Sequence, residues 1–389
     1  MSNRSIAASL LLNTILSAVF QVYVLAIATR YGGAELAGEY SFVMAIATAI
    51  SVFIYSDIKS LTLTYQNDCE LVGSLARHYY VTTVLSAVVC IAAFLLNQKL
   101  FSGVFLYRVA QSLCDFNTCR WQSLKNSQRI WTLSLARFFI LMFVLYFAAV
   151  WLSFLMALVL CSLSLFIFSL VEFRQLPSNA LAIKNLYSDS KLFHHFVVLS
   201  ISSVVNAIPQ VITRQAILFA AGVLGVGLYS ISYQVFLASM PVVTIVGQLC
   251  IAKDSLTTAE FYKGMVLTVI ISLVTCIAAI VFFVCNPFSL REALFPGVSY
   301  GGFIYFVCFS IFSILIYTNS FLGFVSVKVG LTSLQLRTGL YYIFSLIVVS
   351  VLGFVFSNPV FMLILLFAIA TAVRTVQMFF LILMRLRNR

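Results

Sequence analysis

Apolar runs of about twenty residues, separated by short polar breaks, fill almost the whole chain. A bilayer-spanning helix needs about 20 such residues. The runs predict helices over residues 6–29, 38–56, 79–96, 101–119, 131–149, 152–171, 194–219, 224–250, 263–285, 298–325, 335–355 and 359–382. The fourth is the least apolar, because it holds Arg108, Gln111 and Asp115. Outer-membrane barrel strands would be about ten residues long and would alternate, so these runs are helices.

The polar breaks carry a charge bias. With the N-terminus inside, sixteen of the 23 Lys and Arg residues fall in cytoplasmic segments and only Arg30, Lys99 and Arg291 fall in outer ones. The other four, Arg108, Arg137, Arg214 and Arg374, lie within spans. This is the positive-inside pattern, and it predicts that both termini are cytoplasmic. The longest breaks, 57–78 and 172–193, fall on that same side. Arg4 and the run ending Ala26-Ile-Ala28 have the outline of a signal peptide. At about 23 residues, and with Gln21 inside it, the run reads instead as a retained span.

Composition agrees with the pattern. The chain is 62% hydrophobic and 9% charged, with a mean hydropathy of +1.09, whereas soluble domains carry roughly 25% charged residues. The formal charge of +12 does not point to nucleic acid, because the basic residues stand singly at helix ends. Most of the nine cysteines sit inside apolar runs, no CxxC occurs, and the histidines are His78, His194 and His195 alone. The cysteines therefore read as small buried hydrophobes, with no metal and no disulfide framework expected.

One phrase returns. GAELAGEYS, from Gly33 to Ser41, matches GVLGVGLYS, from Gly222 to Ser230, at an offset of 189. The same offset pairs Ala18, Gln21 and Val22 with Ala207, Gln210 and Val211. Span 1 thus matches span 7, and span 2 matches span 8. Each phrase predicts a tight helix–loop–helix corner in which glycine takes positive φ, followed by a tyrosine at the headgroup interface. A repeat of six helices re-enters the membrane the same way up. The expected fold is an all-α integral membrane protein of about twelve transmembrane helices in two parallel six-helix bundles. The expected division is 1–172 and 194–389, joined by a cytoplasmic linker at 173–193. Transporters built this way bind substrate between their halves.

ATRYGGAELAGEYSFVMA and NAIPQVITRQAILFAAGVLGVGLYSISYQ together resemble the polysaccharide-exporting branch of the multidrug/oligosaccharidyl-lipid/polysaccharide (MOP) exporter superfamily. The likeness is greatest to the Wzx-type O-antigen flippases of bacterial inner membranes, whose known fold is MATE-like. The resemblance implies a substrate of undecaprenyl-diphosphate-linked oligosaccharide, built on the cytoplasmic face and moved outward by alternating access. It also implies an electropositive cavity, proton or sodium coupling with no organic cofactor, and a polysaccharide polymerase and chain-length regulator as partners.

An ionised side chain at mid-membrane costs a few kcal/mol and normally faces a cavity or a partner. Arg108, Arg137, Arg214 and Arg374 are therefore the candidate substrate contacts, with Arg30 a further one at the outer end of span 1. Arginine suits a diphosphate because its fork binds oxyanions bidentately and stays charged. Arg108, Gln111, Ser112 and Asp115 fall on one face of span 4. That face reads either as a cavity wall or as a structural Arg108–Asp115 pair. Gln21 and Gln210, equivalent across the repeat, suit either sugar hydroxyls or helix–helix hydrogen bonds. Arg137 and Arg374 could instead snorkel to an interface.

Other functions leave weaker traces. An O-antigen polymerase needs a sizeable outer loop, and the largest outer segment, 286–297, is about a dozen residues. No catalytic triad, metal set or phosphate loop appears, which argues against an enzyme. A drug or cation antiporter of the same superfamily would call for acidic residues deep in the spans, where this chain places mostly arginine.

Overall fold

The computed structural model describes residues 3–55, 82–83, 85–123, 126–174, 190–251, 256–296, 303–356 and 359–387. It is all-α. The helices are α1 (Asn3–Tyr55), α2 (Leu85–Leu95), α3 (Lys99–Ser123), α4 (Ser127–Trp151), α5 (Phe154–Arg174), α6 (Ser190–Phe236), α7 (Met240–Ile251), α8 (Thr258–Cys285), α9 (Leu290–Leu294), α10 (Phe303–Lys328), α11 (Thr332–Gly353) and α12 (Pro359–Arg387). Eight helices among the described residues are long and apolar enough to cross a membrane, counting α1 and α6 once each although both turn back at a corner. With α2, α3 and α7 every predicted span has helix within it, and the chain is a multi-pass membrane protein. The expected linker at 173–193 lies largely outside the described residues.

The predicted tight corners between spans 1 and 2 and between spans 7 and 8 are present, each one or two residues long: α1 and α6 are each two helices joined at a glycine kink. Gly33 has φ 67° and ψ −169°, and Gly222 has φ 66° and ψ −170°. Two residues 189 apart thus share one conformation that is essentially restricted to glycine. The offset that relates the sequences also relates the backbone.

The chain packs as two compact units. The first contains residues 1–20 and 43–207, the second 21–42 and 208–389. In the first, α3 is the central helix, packed on α5 and α4. Phe105, Tyr107, Val109, Ala110, Leu113 and Phe116 are all buried there. The least apolar span is the one enclosed by protein, because a polar helix facing lipid would leave its groups unmatched. The exposed large side chains of this unit, such as Phe139, Phe143 and Ile167, are those suited to lipid.

In the second unit α10 takes the corresponding central place, packed on α12, α7 and α8. Phe309, Phe312, Tyr317 and Phe321 are buried along it. Span 4 and span 10 are each the fourth of their half. The corner of α1 belongs to this unit and crosses α6 at its own counterpart. A Cβ on Gly38 would overlap the carbonyl oxygen of Val223, and a Cβ on Gly227 would overlap that of Ala34. Residues 34 and 223, like 38 and 227, are 189 apart, so the contact is reciprocal.

The predicted span 224–250 is broken. Leu237, Ala238 and Ser239 interrupt it between α6 and α7, ahead of Pro241. Proline has no N–H to give the carbonyl four residues back, and its ring crowds that carbonyl. The Leu237 carbonyl is satisfied instead by the Met240 N–H at 3.0 Å. The Ser239 N–H donates to the Tyr317 hydroxyl at 3.1 Å, and that hydroxyl donates to the Phe236 carbonyl at 3.2 Å. Ser239 Oγ also bonds Thr275 Oγ1. The break is thus closed by a side chain from the central helix.

Candidate functional site: two buried arginine clusters

The first unit contains a small, partly open recess lined by polar and aromatic groups. Gln111 and Asp115 from α3, Ser134 and Arg137 from α4, and Asn13 and Ser17 from α1 line it, with Tyr107 and Phe138 among the aromatic groups. Arg137 is 8% exposed. Its Nη2 donates to Thr118 Oγ1 at 2.8 Å and to Asn13 Oδ1 at 3.4 Å, and its Nε donates to the Leu133 carbonyl at 3.4 Å. Ser134 Oγ donates to the same Asn13 oxygen at 2.8 Å. Arg137 therefore does not snorkel; neutral acceptors of three helices hold it inside the bundle. Arg108 donates through Nη1 to Gln111 Oε1 at 2.7 Å. Of the stripe on α3, Gln111 and Asp115 line the recess, with Gln111 as the link between Arg108 and the space.

The second unit holds Arg214 and Arg374, 4% and 6% exposed. Arg214 donates through Nη1 to the Gln210 carbonyl one turn back at 3.1 Å. Its guanidinium carbon lies 5.3 Å from the centre of the Tyr233 ring and 6.0 Å from that of Tyr229. These contacts are made because the Gly222 corner folds α6 back on itself. Arg374, on α12, lies 5.1 Å from the Tyr342 ring of α11, and the Tyr342 hydroxyl bonds Thr371 Oγ1 at 2.8 Å. Ring faces attract a cation while leaving its N–H groups free for an oxyanion. Arg214 has no carboxylate partner among the described residues, and its Nε has no hydrogen-bond partner.

Of the remaining candidates only Gln210 reaches a cluster, through its backbone. Arg30 is exposed. Gln21 and Gln210 are half-buried, and Gln210 contributes its backbone carbonyl to Arg214 and to Thr213 Oγ1. Sequence reading missed Asn13, Thr118, Ser134 and Tyr342, whose residue types carry no signal in an apolar run. Tyr229 was visible, as the tyrosine of the repeated phrase. It is 1% exposed, however, and Tyr40 is also buried. Both rings pack against protein, beside the glycine crossing.

No protein-family model and no curated relative matches the sequence. Solved structures do match in fold. A MOP superfamily transporter from Pyrococcus furiosus, described as having a binding pocket of reverse polarity that suggests a different function, aligns with a TM-score of 0.67 at 11% identity over 98% of this chain and 95% of that one. An outward-facing multidrug-resistance MATE transporter of the MOP superfamily aligns at 0.65, with 12% identity over 99% and 95%. A eukaryotic MATE transporter aligns at 0.59, with 16% identity over 99% and 96%. The chain therefore has the fold of the MATE transporters of the MOP superfamily.

Proposed function

We propose that this protein is a membrane transporter for an anionic, lipid-linked substrate, and that it moves diphosphate-linked oligosaccharide from the cytoplasmic to the outer leaflet by alternating access. The observation that carries the reading is Arg214, a buried cation with aromatic faces and a backbone carbonyl for neighbours. A buried charge is costly unless it is paired. A site of this kind is completed by an anion from outside the chain, and a diphosphate supplies two adjacent groups for arginine forks. Arg374, over the Tyr342 ring, is a second buried cation of the same unit. The polar recess of the first unit offers amide, hydroxyl and aromatic groups of the kind that bind sugars. Cytoplasmic termini, supported by the charge bias, and a bacterial inner-membrane location, implied by the family resemblance, belong to the same proposal.

A second reading is a small-molecule antiporter, favoured by the MATE fold and by Asp115 in the recess. Deletion of the gene separates the two. Leaflet-specific labelling should find lipid-linked repeat units held on the inner leaflet, with surface polymer lost. Units that reach the outside without polymerising would make the protein a polymerase. Unchanged surface glycan would favour the antiporter. Arg214→Ala, expressed at normal abundance, should lower export by tenfold or more, the effect of losing about 1.5–3 kcal/mol of charged hydrogen bonding. Arg108→Ala should lower it less, because Arg108 reaches the recess through Gln111.

A further inference from the structure

Three helices of the second unit carry exposed apolar stripes suited to lipid, and each stripe ends in a cation. On α8, Val266 and Ile270 are exposed, and Lys263 lies one turn before them. On α11, Tyr341 and Phe344 are exposed, with Arg337 one turn before them. On α12, Val376 and Phe380 are exposed, and the stripe runs on through Met384 to Arg387. Every step along these stripes is three or four residues, which keeps each cation on the lipid side of its helix.

The three helices are neighbours. The Tyr262 ring of α8 lies 6.4 Å from that of Phe379 on α12, and the Tyr342 hydroxyl of α11 bonds Thr371 of α12. Lys263 is therefore level with Phe379, and Arg387 lies about 12 Å further along the axis of α12. Long basic stems snorkel, so the cations can meet one headgroup layer from both of its sides. All three stand at the helix ends that the charge bias places on the cytoplasmic side. None has a side-chain hydrogen bond or ion pair among the described residues. The carboxylate of Glu260 is held by the Thr257 N–H in the capping box that starts α8. At the opposite end of α8, Arg291 is already bonded to the Glu292 carboxylate and to the Phe283 carbonyl. Cations that end apolar faces call for an anion that arrives with acyl chains attached.

We propose that the face formed by α8, α12 and α11 binds anionic phospholipid of the inner leaflet. The acyl chains lie along the apolar stripes, and Lys263, Arg337 and Arg387 hold the phosphate. An arginine fork takes two phosphate oxygens, and lysine acts as a point charge. This surface is separate from the transport site proposed above, whose cations Arg214 and Arg374 are buried.

The test uses the purified full chain in nanodiscs of equal phosphatidylglycerol and phosphatidylethanolamine, followed by native mass spectrometry of the lipids retained. The wild-type protein should retain phosphatidylglycerol in excess. Lys263→Gln, Arg337→Gln and Arg387→Gln should each lower that excess by up to about fivefold, the equivalent of about 1 kcal/mol per cation near an anionic surface. The triple variant should show no preference. Arg214→Ala and the outer Arg291→Gln should keep the wild-type excess. Equal retention of the two lipids by the wild type would overturn the proposal, and so would an undiminished excess in the triple variant. Loss of the excess in Arg214→Ala would place the lipid at the buried arginines and sink the idea as well. If the triple variant does not accumulate, the three single variants decide by the same criterion.

Discussion

Gly33 and Gly222 have open space where a Cβ would stand, whereas Gly38 and Gly227 have none. The first pair is glycine for its dihedral angles and the second for its size. The consequences differ. Gly33→Ala and Gly222→Ala should each destabilise the protein by about 1–3 kcal/mol through backbone conformation alone. Their effects should not simply add, because the residues that follow them, Ala34 and Val223, meet Gly227 and Gly38 at the crossing of the two corners. Gly38→Ala and Gly227→Ala push apart the same contact, so the double variant should cost less than the sum of the singles. Thermal unfolding of the four singles and two doubles in detergent checks both statements. The arginines show the same limit of legibility. Four charges in apolar runs are visible in any reading, because charge in lipid is costly. Their partners are not visible, because a serine, asparagine or tyrosine in a membrane helix has many ordinary uses.

The break between α6 and α7 belongs to the scale of the element. Pro241 was in plain view, but proline inside a membrane helix is tolerated when neighbours re-satisfy the freed groups. Here the neighbour is Tyr317, which accepts from Ser239 and donates to Phe236. Tyr317→Phe should leave the Ser239 N–H and the Phe236 carbonyl unpaired and cost about 1–3 kcal/mol. Pro241→Ala should let the helix run on, and Tyr317→Phe should then cost less in that background. A double-mutant cycle on thermal stability measures the difference, and equal costs in both backgrounds would rule out the link. The same reasoning explains α3. It looks like the weakest span by hydropathy, yet it is the most enclosed helix of its unit. Hydropathy reports suitability for lipid, and a helix wrapped by other helices does not need it.

For the whole molecule, the two units divide the long helices at matched places. The limit in α1 falls after Phe20 and the limit in α6 after Ala207, within two residues of the 189-residue offset. Pro209 lies just past the second limit. The repeat, the apolar runs and the charge bias were all fixed by the sequence, because the bilayer imposes span length, backbone satisfaction and loop charge on each segment separately. The corner glycines were legible for the same reason, since their dihedral requirement is local. Tertiary structure alone decided that the corner of α1 packs with the second unit, that Arg214 meets Tyr229 and Tyr233, and that Arg137 turns to Asn13. Each of these joins residues that are distant in sequence or placed on either side of a kink. Such pairings depend on how helices face one another, and no single segment encodes its neighbour.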